Sequence, residues 1–210
     1  ALAGDFKDAR SEKMPGDEDI IKFAQAGVQR LNEKYAGEKK IFFFFHRRRQ
    51  FNQSQGAWTG WERKRGALLE LNRLLEGDAN TSYMVVSEGF TEIRGRVKYV
   101  LTLDADTQLP LHTAKKLIGA ISHPLNKGII DQEKGIVRQG YGLIQPRISI
   151  GVESANRSLF TRVFAGGGGM DPYTTAISDI YQDLFGEGIF TGKGIYDLSV
   201  FNRLLRDRIP

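Results

Sequence analysis

Val97-Lys98-Tyr99-Val100-Leu101-Thr102-Leu103 alternates, then runs largely apolar into Asp104-Ala105-Asp106. Leu111 to Ile121 follows with Leu117, Ile118 and Ile121 at helical spacing. The stretch therefore predicts a strand, an acidic turn and a helix. In open α/β sheets ligands bind beyond the carboxyl ends of strands, where these two acids fall.

The same alternation extends outward. Asp17 to Tyr35 spaces Ile20, Ile21, Phe23, Ala24, Val28 and Leu31 as a helix, with Gly37 as its stop. Ile41 to Phe45 is a continuous apolar run between charged flanks, which predicts a strand covered on both faces, as in parallel sheets. Trp61 to Leu75 puts Leu68, Leu69, Leu71, Leu74 and Leu75 on one helical stripe ahead of Gly77. Tyr141 to Ile150 predicts a strand, and Asn156 to Phe164, Thr174 to Phe185 and Asp197 to Leu205 predict helices. Strands alternating with helices predict an α/β fold around a mostly parallel sheet.

Composition bounds the rest. The 210 residues are 40% hydrophobic and 26% charged, which excludes a disordered or fibrous chain. The longest apolar run, Ile41 to Phe45, is far short of the roughly 20 residues of a membrane-spanning helix. No N-terminal signal-peptide pattern is present. With no cysteine there is no disulfide framework, which suits a reducing compartment. Thirty Lys and Arg against 25 Asp and Glu give a net charge of +5, favouring an anionic partner. The cations cluster at His46-Arg47-Arg48-Arg49 and Arg63-Lys64-Arg65, a local pattern suited to phosphate.

In extended backbone, residues i and i+2 point the same way, so Asp104 and Asp106 are expected to face one hard divalent cation, Mg²⁺ or Mn²⁺. Two carboxylates leave most of an octahedral shell to phosphate oxygens and water. The competing structural reading is an acidic turn capping the following helix. A phosphatase of the haloacid dehalogenase type also places D-x-D after a strand, but Thr107 directly follows the second Asp here and the motif lies in mid-chain.

Trp61-Glu62-Arg63-Lys64-Arg65-Gly66 opens a helix with cations, which the macrodipole disfavours. Something anionic is therefore expected to compensate it, and a diphosphate would meet both charge and N–H donors. Asp5-Phe6-Lys7-Asp8 is a third motif, an acidic one, and taken alone it reads as a surface turn.

Together these segments resemble the glycosyltransferase domain of cyclic β-1,2-glucan synthases. The resemblance runs through Phe45-His46-Arg47-Arg48-Arg49, Gly60-Trp61-Glu62-Arg63-Lys64-Arg65-Gly66, Leu101-Thr102-Leu103-Asp104-Ala105-Asp106-Thr107-Gln108-Leu109-Pro110 and Gly192-Lys193-Gly194-Ile195-Tyr196-Asp197. Between them stand Gln145-Pro146-Arg147 and the block from Asp171-Pro172-Tyr173 to Tyr181-Gln182-Asp183-Leu184-Phe185-Gly186-Glu187-Gly188. It implies a GT-A, Rossmann-like domain akin to the inverting processive transferases of the cellulose synthase type. A single domain is expected over residues 1–210, with a nucleotide-binding half at 1–110 and an acceptor-side half at 111–210.

The resemblance also implies UDP-glucose as donor, a growing β-1,2-glucan as acceptor and a divalent metal at Asp104 and Asp106. Asp5 and Asp8 match the acidic pair that contacts uridine, and Lys64 and Arg65 the basic helix start near the nucleotide. Gly192, Lys193 and Gly194 fall where related enzymes bring backbone to the donor sugar. Tyr173 is the candidate for priming a glucan on protein, with Tyr181 and Tyr196 competing. The whole enzyme is expected to be a polytopic protein of the bacterial inner membrane with this domain on its cytoplasmic face. The family's first strand would lie upstream of Ala1 and its catalytic base beyond Pro210, so the domain reads as truncated at both ends. Within the chain, Asp183, Glu187 and Asp197 are the late acids to weigh as base.

A sheet lacking its first strand exposes unpaired backbone groups, which predicts self-association. Ala165 to Met170, with its four glycines, is read as a lid or surface loop, and Trp58 and Trp61 as sugar platforms or anchors of the helix start. Two further readings compete: a nucleotidyltransferase using the same metal, and a nucleic-acid module using the basic clusters. The latter leaves the acidic pair unexplained, and no nucleic-acid partner is expected.

Overall fold

A computed structural model of the chain describes residues 1–146, 158–159 and 192–205. The chain divides into two compact units, Ala1–Lys98 with Asn202–Pro210, and Tyr99–Phe201.

In the first unit the apolar run becomes β2 (Phe44–Arg47), shifted toward the basic flank and buried at all four positions. It pairs parallel with β1 (Leu2–Asp5) and antiparallel with β5 (Tyr83–Val86), with Gly4 opposite His46 and Asp5 opposite Arg47. Phe43 and Phe45 meet Phe90 of the short α3 (Phe90–Ile93) edge-on, at 6.3 and 5.0 Å between ring centres. α2 (Arg63–Glu76) buries Leu69, Leu71, Leu74 and Leu75 of the predicted stripe, with Leu68 half-buried, and stops at Gly77 in a left-handed conformation (φ 114°). α1 (Asp17–Tyr35) has the predicted bounds, but Val28 is its one buried residue among those described, and Ile20, Phe23 and Leu31 are exposed. A hairpin of β3 (Gln50–Asn52) and β4 (Ala57–Thr59) fills the segment before α2.

In the second unit β6 (Tyr99–Thr102) is the predicted strand, and α4 (Thr113–Ser122) the predicted helix behind it. β10 (Gly194–Asp197) lies antiparallel to both β6 and β9 (Leu143–Ile144). Leu117 and Ile121 of α4 pack on Ile195, with Tyr99, Leu101 and Ile144 around them. A second hairpin joins β7 (Ile129–Asp131) and β8 (Ile136–Gln139), and α5 (Leu198–Leu205) follows β10.

The fold is mixed α/β, as expected, but its sheets are small and, among the described residues, β1–β2 is the one parallel strand pair. A strand buried on both faces does not require parallel neighbours: β2 is buried with one neighbour of each sense. Strand direction is a long-range property that local periodicity does not encode. The helices expected at 156–164 and 174–185, and the loop at 165–170, lie outside the described residues. Among those described, no helix is long and apolar enough to cross a membrane.

Candidate functional site

The basic cluster at residues 46–49 does not face solvent as a phosphate patch. Because β2 runs on through Arg47, His46 and Arg47 are strand residues inside the core, and Arg49 is buried just beyond; Arg48 alone is exposed. Burying a guanidinium requires that every donor be met, and all five N–H groups of Arg47 are. Nε and Nη2 donate to the two Asp5 carboxylate oxygens at 2.7 and 2.5 Å, and Nη1 to Glu70 Oε2 at 3.1 Å. The remaining two donate to the carbonyls of Trp61 and Arg63, each at 2.9 Å. Burial alone would lower the Arg47 pKa, but hydrogen bonds and charge from Asp5 and Glu70 outweigh it and hold it above its usual value. Removing one partner of such a buried pair costs about 3–5 kcal/mol.

Glu70 is anchored in turn. Its Oε1 accepts from the Ser82 N–H at 2.9 Å and its Oε2 from the Ser82 hydroxyl. Sequence reasoning passed over it, although a single carboxylate inside Leu68-Leu69-Glu70-Leu71 was a usable signal: a charge on an apolar helix face needs a buried counter-ion. Arg49 is the second internal cation, donating to both Asp17 carboxylate oxygens and to the carbonyls of Lys7 and Glu12 while lying 4.5 Å over the Phe6 ring. The hydrogen bond from Arg49 holds the Asp17 pKa below its usual value.

The motif around α2 is thereby explained. Glu62 and Arg63 both take left-handed backbone (φ 50° and 48°), an unfavourable conformation for non-glycine residues. A Cβ on Gly60 would stand 2.6 Å from Asp5 Oδ2, and one on Gly66 2.0 Å from the Trp61 carbonyl oxygen, so both flanking glycines are sterically required. The compensating anions expected at this cationic helix start are present within the protein: Arg63 pairs with Asp8 at 2.7 Å and Arg65 with Glu62 at 2.5 Å. Arg63, Lys64 and Arg65 are exposed. The structure thus brings Asp5, Asp8 and the Arg63-Lys64-Arg65 start together, with Asp5 turned to Arg47.

In the second unit β6 ends at Thr102 and the chain turns, with the Thr107 N–H donating to the Asp104 carbonyl at 3.0 Å. The same-side argument for Asp104 and Asp106 assumed extended backbone, and it does not hold across this turn. Asp106 is exposed, and Asp104 Oδ2 lies 3.0 Å from Lys193 Nζ. The D-x-D and Gly192-Lys193-Gly194 therefore meet. Gly194 is explained by packing, since a Cβ there would stand 2.7 Å from the Ile144 carbonyl oxygen of β9. Carboxylate oxygens are the donor type that Mg²⁺ and Mn²⁺ prefer, but Asp104 is already paired with Lys193, and among the described residues no group of three acids or histidines stands together.

Other candidates resolve otherwise. Asp197 caps α5, its Oδ1 accepting from the Val200 N–H at 3.1 Å. Tyr196 is fully buried and stacked on Phe201 at 4.4 Å, which removes it as a glucan acceptor. Trp58 packs on Phe51, and Trp61 gives its carbonyl to Arg47. Tyr173, Tyr181, Asp183 and Glu187 lie outside the described residues. A separate groove of about 570 Å³ beside α1, lined among others by Gln29, Asn32, Lys40 and Glu88, holds none of the predicted site residues.

No family model matches the chain. Over its whole length, however, the chain is 42% identical to the cyclic β-(1,2)-glucan synthase NdvB of Rhizobium meliloti (strain 1021). It is related to one segment of that synthase. The chain spans 7% of the relative's length, so the relation concerns this segment.

Proposed function

We propose that the chain is a glycosyltransferase-type domain of a larger synthase, transferring glucose from UDP-glucose to a growing β-1,2-glucan with inversion. The observation that carries the reading is the 42% identity across all 210 residues to part of a glucan synthase. Supporting it, the residues assigned to nucleotide and donor sugar gather at two places, one in each unit.

At the first, Lys64 and Arg65 would meet the diphosphate, and Asp8 orients Arg63 beside them. At the second, Asp104 and Asp106 would hold a Mg²⁺ or Mn²⁺, which supplies electrostatic stabilisation of the departing UDP. Lys193 adds positive charge beside Asp104, where negative charge grows as the glycosidic bond to UDP breaks. The glucosyl 2-hydroxyl attacks the anomeric carbon from the opposite face, which inverts it. Its proton goes to a carboxylate supplied outside the described residues. The domain would work on the cytoplasmic face of an inner membrane, within the parent synthase.

Titrating UDP-glucose, UTP and an oligonucleotide with and without Mn²⁺ tests the reading. Metal-dependent UDP-glucose binding that disappears in Asp106→Asn is expected. Preference for UTP would favour a nucleotidyltransferase, and salt-sensitive, metal-independent oligonucleotide binding would replace the transferase by a nucleic-acid module.

A further inference from the structure

We propose that Arg47 is a positioning residue for the nucleotide's diphosphate, and that Asp5 acts through Arg47 without touching the nucleotide. The inference rests on the reading that the α2 start faces that diphosphate. Two consecutive non-glycine residues, Glu62 and Arg63, hold positive φ immediately before the cationic turn. Nothing in their own chemistry favours this. The carbonyls on either side of the bend, Trp61 and Arg63, are the two backbone acceptors of Arg47.

Arg47 can impose the bend because it has no freedom itself. Asp5 takes Nε and Nη2 as a fork, Glu70 takes Nη1 from the far side, and Ser82 fixes Glu70. A guanidinium with all five donors committed has one orientation. Gly60 and Gly66 leave room for the carboxylate and the carbonyl to approach. The strand residues Asp5 and Arg47, opposite each other in the β1–β2 register, thus set the direction in which Arg63, Lys64 and Arg65 leave the backbone. A lysine in place of Arg47 keeps the charge but offers three donors from one point and cannot reproduce the fork.

Binding of UDP, inorganic pyrophosphate and uridine would be measured by calorimetry in Mn²⁺ for the wild-type chain, Arg47→Lys and Asp5→Asn. Amide hydrogen exchange would be followed on each. We expect Arg47→Lys to lose about tenfold in pyrophosphate and UDP affinity, with uridine affinity unchanged. Exchange should accelerate at Arg63 and Gly66, whose amides close the bend, and stay unchanged at Gly77. Asp5→Asn should follow the same pattern; a loss of uridine binding with pyrophosphate binding intact would instead put Asp5 on the base and overturn its half of the proposal. If Arg47→Lys does not fold, Glu70→Gln carries the same criteria. A folded variant that binds pyrophosphate as the wild type does overturns the positioning role alone. Wild-type chain that binds neither UDP nor pyrophosphate overturns the nucleotide reading and this inference with it.

Discussion

Lys193 Nζ stands 3.0 Å from Asp104 Oδ2, so the lysine of the late glycine-flanked motif already neutralises the first carboxylate of the D-x-D. In the proposed function this lysine and a divalent ion share one acid. Lys193→Met should therefore raise the affinity of the nucleotide-free chain for Mn²⁺ by up to about fivefold, the scale of a partly exposed ion pair. The same variant should weaken UDP-glucose binding. Electron paramagnetic resonance of bound Mn²⁺ reads the first effect and calorimetry the second. Weaker Mn²⁺ binding in the variant would show that Lys193 supports the metal site and does not compete for it.

The two glycines around α2 differ in what a methyl group would strike. At Gly66 it meets backbone, the Trp61 carbonyl at 2.0 Å. At Gly60 it meets the Asp5 carboxylate at 2.6 Å, a side chain, although one pinned by Arg47. Gly66→Ala should cost more than about 3 kcal/mol and Gly60→Ala about 1–3 kcal/mol. Urea denaturation midpoints would rank them, and equal costs would mean that Asp5 is as rigid as backbone.

The alternation of helix and strand, the bounds of α1 and the apolar face of α2 were legible because each is local periodicity. So was the strand, acidic turn and helix of 97–121. The fate of the cations was not. His46-Arg47-Arg48-Arg49 looks in sequence like a phosphate patch, and what buries it is the extension of β2 beyond the apolar run, together with carboxylates at positions 5, 17 and 70. Those partners lie between 23 and 42 residues away, and spacing along the chain carries no trace of them. Arg47, Arg49, Arg63 and Arg65 of the two basic clusters are thus paired with carboxylates of the protein itself. Strand direction was hidden for the same reason.

β1 pairs on one side with β2 and, among the described residues, has no strand on the other. Leu2 on it is half exposed. An uncovered, largely uncharged edge is a template for another chain. The chain should therefore associate with concentration in sedimentation velocity, and Ala3→Lys, which places a charge on that edge, should shift it toward monomer. Concentration-independent monomer in the wild type would mean the edge is protected.

Two groups, the buried His46 and the partly buried Asp17, set the acid limb of stability at different pH values. Burial lowers the His46 pKa below its usual 6.5, the carbonyl of Arg47 raising it only in part. With its pKa lowered, His46 is neutral at pH 7, and the Arg47 carbonyl 3.0 Å away, which can only accept, selects the tautomer with the proton on Nδ1. The unfolded chain therefore takes up this proton first on acidification, so stability is level above about pH 6.5 and falls below it by at most about 1.4 kcal/mol per pH unit. Asp17 adds a later loss. Held below its usual 3.8 by Arg49, it contributes fully above that value and is lost as pH falls through its folded pKa. His46→Phe, packed among Phe6 and Phe44, should abolish the decline that begins near pH 6.5 and leave the acid one. Asp17→Asn should do the reverse, lowering stability at pH 7 by about 2 kcal/mol. Melting temperatures between pH 3 and 8 decide this, and a decline near pH 6.5 that persists in His46→Phe would assign it to another group.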